Sequence, residues 1–189
     1  MAECIDLLEG MLSPCEGLND VGGVKKTFYV GQLSQLGTVP YTVDGDGYID
    51  TIAFAAGSPA FGLYKFSGKK SKNNGAWELT AGENVNTFNT SANLVLYPFT
   101  PEQVAACDAL VGADDLFVIF PNEAGTKVWV YGITQGLNAT AGSGGTGAGL
   151  QDDTSYKLTL SGEQLASPMQ FLNGGTIADS IAYLDGISV

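Results

Sequence analysis

The chain has no histidine and no arginine; its 8 basic residues are all lysine, set against 20 acids for a formal net charge of −12. Without histidine, Ser-His-Asp and Cys-His nucleophile arrangements are excluded, as is any zinc site that needs an imidazole. A protein that grips DNA by neutralising phosphates should be basic, so specific nucleic-acid binding is not expected of a chain this acidic. Three cysteines (Cys4, Cys15 and Cys107) are an odd number, and reduced, buried thiols are the expectation. No apolar run approaches the ~18 residues of a membrane helix. Nor does a charged n-region with an apolar stretch open the chain, so synthesis in the cytoplasm is expected.

What is present is a globular composition. Hydrophobic residues make up 44 % of 189, enough for one domain burying roughly 70 % of its unfolded surface. The best-specified stretch is Thr100 to Gly132. Thr100 and Gln103 form a Thr-x-x-Gln capping box with Pro101 at the first helical position. Val104, Cys107, Leu110 and Val111 make an apolar stripe on a short helix, and Gly112 supplies a stop. Leu116 to Phe120 is a wholly apolar run expected to be buried on both faces. Pro121 to Thr126 reads as a turn and Lys127 to Tyr131 as a second strand, containing Trp129.

Elsewhere short strands dominate. Val24 to Leu33 is rich in β formers. Tyr41 to Val43 and Tyr48 to Ala55 flank Asp44-Gly45-Asp46-Gly47, a strong hairpin signal. Ala60 to Phe66, Ala76 to Thr80, Val85 to Thr90 and Leu94 to Tyr97 continue the rhythm. Tyr156, Leu158 and Leu160 alternate with polar residues in a half-buried antiparallel strand. Ser67 to Gly75 is a polar loop, and Ala141 to Gly149, with five glycines, a flexible one. The tail (Ile177, Ile181, Leu184) has helical spacing. The expected fold is mainly β, a sandwich or barrel-like pair of sheets with one flanking α-helix at about residues 101–112. Residues 24–189 read as a single β-rich domain. Residues 1–23, acidic with scattered apolar positions, read either as a short helix or as an arm packed on a neighbour.

The residues offer little chemistry. Ser67-x-x-Lys70 matches a nucleophile pattern but lies in a polar loop. Asp44 to Asp50 resembles the middle of a calcium loop, yet Thr42 and Ala53 stand where carboxylate ligands belong and the flanks read as strands. A hairpin is expected, with weak calcium binding as the alternative. Gly142-x-Gly144-x-x-Gly147 opens no helix and has no βαβ context. No catalytic, cofactor or metal residues are assigned. What a plain monomer does not need is the segregation of charge: Lys65, Lys69, Lys70 and Lys72 are half of all lysines, while residues 1–23 hold five acids and no base. Two solvated patches would account for it. So would head-to-tail association with Lys69, Lys70 and Lys72 at an inter-subunit contact, which generates rings or filaments.

The acidic start with Cys4 and Cys15, Gly22-Gly-Val-Lys25 before an aromatic strand, Leu116–Phe120, turn, Lys127–Tyr131, and Tyr156-Lys-Leu-Thr-Leu-Ser-Gly-Glu163 together resemble small structural proteins of tailed bacteriophages infecting Bacteroidetes. The likeness covers the ends and the central third, not residues 31–100. It implies a tail-tube subunit: a non-enzymatic virion protein, a β-sandwich or barrel with a flanking helix, forming a homo-oligomer of stacked rings and meeting other virion proteins. DNA would pass through an acidic lumen without specific binding, with no membrane involved. A head-decoration or other virion protein is the alternative, and a carbohydrate-binding sandwich using Trp77 or Trp129 the next.

Overall fold

Strand β7 (Leu116–Pro121) is buried at every position, and its alternation explains the architecture. Leu116, Val118 and Phe120 point into one hydrophobic cluster, and Phe117 and Ile119 into another on the opposite face. A strand apolar on both faces must be covered on both, and this one is the middle of a five-stranded sheet. The computed structural model describes residues 23–56, 61–68, 72–83, 85–98, 100–145 and 154–189.

The elements in chain order are β1 (Thr27–Gln32), β2 (Leu36–Val43), β3 (Ile49–Phe54), β4 (Tyr64–Ser67), β5 (Asn74–Thr80), β6 (Thr87–Leu96), α1 (Pro101–Gly112), β7, β8 (Val128–Tyr131), β9 (Asn138–Gly145), β10 (Ser155–Gln164), β11 (Met169–Gln170) and α2 (Ile177–Gly186). The central sheet has the order β11-β8-β7-β1-β4. On one face it carries a second sheet, β5-β6-β10-β9, in which every pairing is antiparallel. Phe28, Val30, Val118 and Phe120 of the first sheet meet Ala92, Leu94, Leu158 and Leu160 of the second, so the two form a β-sandwich. The other face is covered by the β2–β3 hairpin and α2, through Ile49, Ile52 and Leu184. The fold is mainly β, as expected, with one more layer than a plain sandwich.

Close packing explains two glycines. A Cβ on Gly31 would lie 2.3 Å from the Phe117 ring, and one on Gly75 would lie 2.3 Å from the Tyr131 ring. Both strands approach aromatic rings too closely for any larger residue. Pairing of β1 with β7 brings Tyr29 opposite Ile119.

Helix α1 starts as its capping box dictates: the Gln103 N–H donates to Thr100 Oγ1 at 3.3 Å and the Thr100 N–H to Gln103 Oε1 at 3.2 Å. Its apolar stripe needs correction. Cys107 and Leu110 are buried in the sandwich, but Val104 and Val111 are 42 % and 47 % exposed. With a buried face centred between Cys107 and Leu110, at 100° per residue the two valines fall about 70–90° to one side of it. Gly112 is the last helical residue and not a left-handed stop; Ala113 leaves in extended conformation, and the left-handed residue is Asp115, at φ 54°.

Other boundaries differ for physical reasons. Val85–Thr90 and Leu94–Tyr97, read as two strands, are replaced by the single β6, which starts only at Thr87 and ends at Leu96; Ser91 and Asn93 looked like a break but are outward-facing steps of one alternation. Residues 141–145, expected in a flexible loop, form the end of β9, held by the β10 ladder. The polar loop is shorter than expected, because β5 begins at Asn74. β4 begins at Tyr64, after an isolated bridge at Leu63. The flanking helix has a companion: α2 is capped by Thr176, whose hydroxyl accepts the Asp179 N–H, and buries Leu184. The N-terminal segment, up to residue 22, lies outside the described residues, as do Cys4 and Cys15.

Candidate assembly interface

Of the three lysines assigned to an inter-subunit contact, Lys72 is exposed beside the start of β5, and Lys69 and Lys70 lie outside the described residues. Lys65, counted with them in the sequence, is committed within the subunit. Its Nζ lies 2.7 Å from Asp185 Oδ1 and 5.9 Å from the centre of the Tyr29 ring, while the Tyr29 hydroxyl donates to the same carboxylate oxygen at 2.7 Å. A carboxylate at the C-terminal end of α2 opposes the helix dipole, and these two donors offset that. They hold the Asp185 carboxyl below its ordinary value, the Lys65 hydrogen bond contributing most and Tyr29 next. Burial, then the bond to Asp185, pushes the Tyr29 hydroxyl up.

The sign of the pH effect follows. A carboxyl whose folded value is depressed adds stability at pH above its unfolded value, about 4, and loses it as pH falls through the folded value. The wild type should therefore melt above an Asp185→Asn variant at pH 7. That margin should close on acidification below about pH 4, as followed by circular dichroism melts.

The four-stranded sheet has both of its edges open among the described residues. β5 pairs only with β6, and β9 only with β10, so the four-stranded sheet presents an unpaired edge on each side. The edges differ. β5 exposes Trp77 and Leu79 (46 % and 57 %), and Val85 just after it is exposed as well. β9 is lined by small residues, Ala141-Gly142-Ser143-Gly144-Gly145, all exposed. Natural edges are usually blunted by charge, proline or brevity, yet β5 has seven residues and a single charged one, Glu78.

The outward face of this sheet is small and polar. Asn89, Ser91 and Asn93 of β6 stand opposite Glu163, Ser161 and Thr159 of β10. Thr159 Oγ1 donates to Asn93 Oδ1 at 2.8 Å, and the Thr140 and Ser161 hydroxyls are 2.9 Å apart. Few charges share this face: Glu78, Glu163 and Lys157.

The remaining motifs settle into structure. Asp44 Oδ1 accepts the N–H groups of Asp46 and Tyr48 at 3.0 and 2.9 Å, and β2 and β3 flank it, which makes 44–48 a turn held by its own aspartate. Chelation of calcium is expected to leave the melting temperature unchanged; a drop of several degrees would revive the calcium loop. Among the described residues, no cluster of metal-ligating side chains occurs. Gly142 and Gly144 sit in β9, with no helix after them to receive a phosphate. Ser67 ends β4, and its motif partner Lys70 lies outside the described residues. Trp77 and Trp129 pack on each other, ring centres 6.0 Å apart, across the sandwich edge. Burial raises the Cys107 thiol, with Asp108 adding to it, which keeps it protonated. No helix of the described residues is long and apolar enough to cross a membrane.

The open edges were not legible beforehand: a strand's place in a sheet depends on partners far away in sequence. The signal that could have flagged β5 is its low charge next to exposed Trp77 and Leu79. Comparison with family models, with curated proteins and with solved structures finds no match for the chain.

Proposed function

We propose that the chain is a virion structural protein, a tail-tube subunit whose copies join head to tail into rings stacked round a DNA channel. The observation that carries this reading is the four-stranded sheet with two open, dissimilar edges. Identical edges would suit a two-fold pair; an apolar edge at one end and a small-residue edge at the other suit a heterologous, ring-forming contact. Strand direction is compatible as well. Four strands in strict antiparallel alternation place β5 and β9 in opposite directions. Under a simple ring rotation the next copy's β5 therefore arrives antiparallel to β9 and continues the alternation.

Charge supports the same reading. A lumen lined by the outward face would offer DNA hydroxyls, amides and more acid than base, so the duplex would find nothing to hold it. A chain of net −12 must also place its lysines where copies meet, and Lys69, Lys70 and Lys72 are the candidates for contacts between stacked rings.

The test is negative-stain microscopy of the purified protein together with sedimentation of the triple variant Lys69→Glu, Lys70→Glu, Lys72→Glu across a salt series. Wild type is expected to form rings or tubes. The variant should stay folded and lose long assemblies at low ionic strength, since each exposed pair contributes only ~0–1 kcal/mol but recurs in every copy. Monodisperse monomers or trimers of wild type would favour the head-decoration reading. A variant that assembles like wild type would move the ring-to-ring contact elsewhere.

A further inference from the structure

Beneath the open edge of β9, on the side of the sheet that faces α1, lies a groove of about 460 Å³. It is lined by Val111, Ala139, Gly142, Gly144, Tyr156 and Leu158 among others, with no charged side chain. Gly142 and Gly144 stand opposite Leu158 and Tyr156, and Leu158 is buried in the sandwich, so both glycines belong to its inner layer. Their own subunit does not require them. A Cβ at either would meet nothing closer than 3.4 Å, whereas one at Gly31 or Gly75 would overlap a ring. Neither has a positive φ, and the register shift of β9 lies elsewhere, opposite Thr159 and Leu160. A strand glycine with no such internal cause marks close approach by something from outside.

We propose that Trp77 of a second copy, with Leu79 beside it, fills this groove as that copy's β5 adds to β9; the inference rests on the ring reading above and names the side chains that make the junction. Three observations favour this occupant. The first is the main chain. The unpaired N–H and C=O groups of β9 lie along the groove, so an occupant that covers both is an extended strand. β5 offers one, seven residues long. The second is the layer. Trp77 and Leu79 stand opposite Thr90 and Phe88 of β6, and Thr90 is fully buried, so the two large exposed side chains of β5 also belong to the inner layer. A strand that continues the pleat therefore brings them over Gly142 and Gly144, where no side chain stands in the way.

The third observation is charge. Glu78 is the single charged residue of β5 and lies on the outward face, between Trp77 and Leu79. Lys157, on the same face, stands opposite Ser143. With Trp77 set against Gly144, Glu78 arrives opposite Ser143, in the row of Lys157; with Trp77 set against Gly142 it arrives one residue pair away. Either register brings the acid of one copy toward the amine of the next, with only a serine or an alanine between them. Val111, half exposed on the wall of the groove, is covered by the same contact.

The experiment places a photoreactive benzophenone amino acid at position 77 of the full chain, an aromatic for an aromatic. After irradiation, a denaturing gel is expected to show a ladder of covalent dimers, trimers and longer species, and mass spectrometry to join residue 77 to Val111 or to residues 139–144. Rings in the microscope with residue 77 joined elsewhere, or only within its own copy, would overturn this inference and leave the ring reading in place. A wild type that sediments as a monomer would overturn both. A second measurement avoids the probe. Gly144→Leu puts a side chain into the groove at a position where its own subunit has room, so the variant is expected to stay folded by circular dichroism and to lose the fast-sedimenting species. Gly145→Leu, one residue on and so on the outward face, is expected to keep them. Assembly of the Gly144→Leu variant like wild type would equally overturn the inference.

Discussion

Phe120→Ala is expected to lower the free energy of unfolding by about 3–5 kcal/mol, measured by urea denaturation. Phe120 is fully buried in the interior of the sandwich, with its ring 5.6 Å from that of Phe28 and 5.8 Å, edge-on, from that of Tyr131. Truncation removes the ring's transfer energy and both aromatic contacts, and it leaves a cavity between two sheets whose backbones are held by ladders on both sides, so collapse around it is limited. Tyr131 is buried deeply enough that its hydroxyl is pushed up to about 12, a sign of how dry this part of the core is. At roughly 2–4 °C per kcal/mol for a domain of this size, the melting temperature should fall by about 6–20 °C. Val111→Ala is the matched control: its side chain is 47 % exposed, and its effect should stay within about 0.5 kcal/mol. Equal effects at the two positions would mean that the sandwich core is misplaced.

A lysine on each open edge, Ala76→Lys with Ser143→Lys, is expected to leave a folded subunit that forms no rings. Both positions are exposed and both lie on the outward face of the four-stranded sheet, at its opposite edges. Inside the subunit the substitutions meet solvent. At a β5–β9 junction they would put two cations on one face of adjoining strands, a pairing that costs about 0.2–1 kcal/mol when directly opposed. Each edge lysine also has to be desolvated as the junction closes, which is how natural edges are kept from pairing. A ring repeats the penalty at every junction, so a modest local cost becomes loss of assembly. The readout is sedimentation velocity beside a thermal melt: an unchanged melt with the fast-sedimenting species gone is the expected pair of results. Rings that persist in the double variant would show that the copies meet through other surfaces.

What could be read from the sequence was what is decided locally. The Thr100–Gln103 capping box, the Asp44–Gly47 turn and the two-faced burial of Leu116–Phe120 each depend on residues within a few positions of one another, and each is found as read. The apolar stripe of α1 was half right, because a helix with alanine or valine on most of its sides has no single face to read. Cys107 and Leu110 are buried only because the sheets lie on that side. β6 was broken in two because Ser91 and Asn93 are polar, and polarity in a one-sided sheet marks the solvent face as readily as a turn. The glycines of β9 read as a loop because intrinsic propensity ignores the ladder that β10 provides. The candidate interface was legible only as a charge imbalance. The lysine loop could be seen in the sequence, and the open edges could not, since neighbours in a sheet are fixed by contacts across the whole chain.

That distance has a consequence in time. Tyr29 and Ile119 stand opposite each other in the central sheet, yet ninety residues separate them in the chain. At about 5–20 residues per second, a ribosome that has finished β1 needs on the order of 5–20 s to deliver β7. Through that interval Phe28, Tyr29 and Val30 can find β4 on one side but have no strand on the other. The apolar edge of β1 that β7 will cover is therefore open to the wrong partner during synthesis, and slowing elongation between residues 70 and 115 should lower the yield of folded protein.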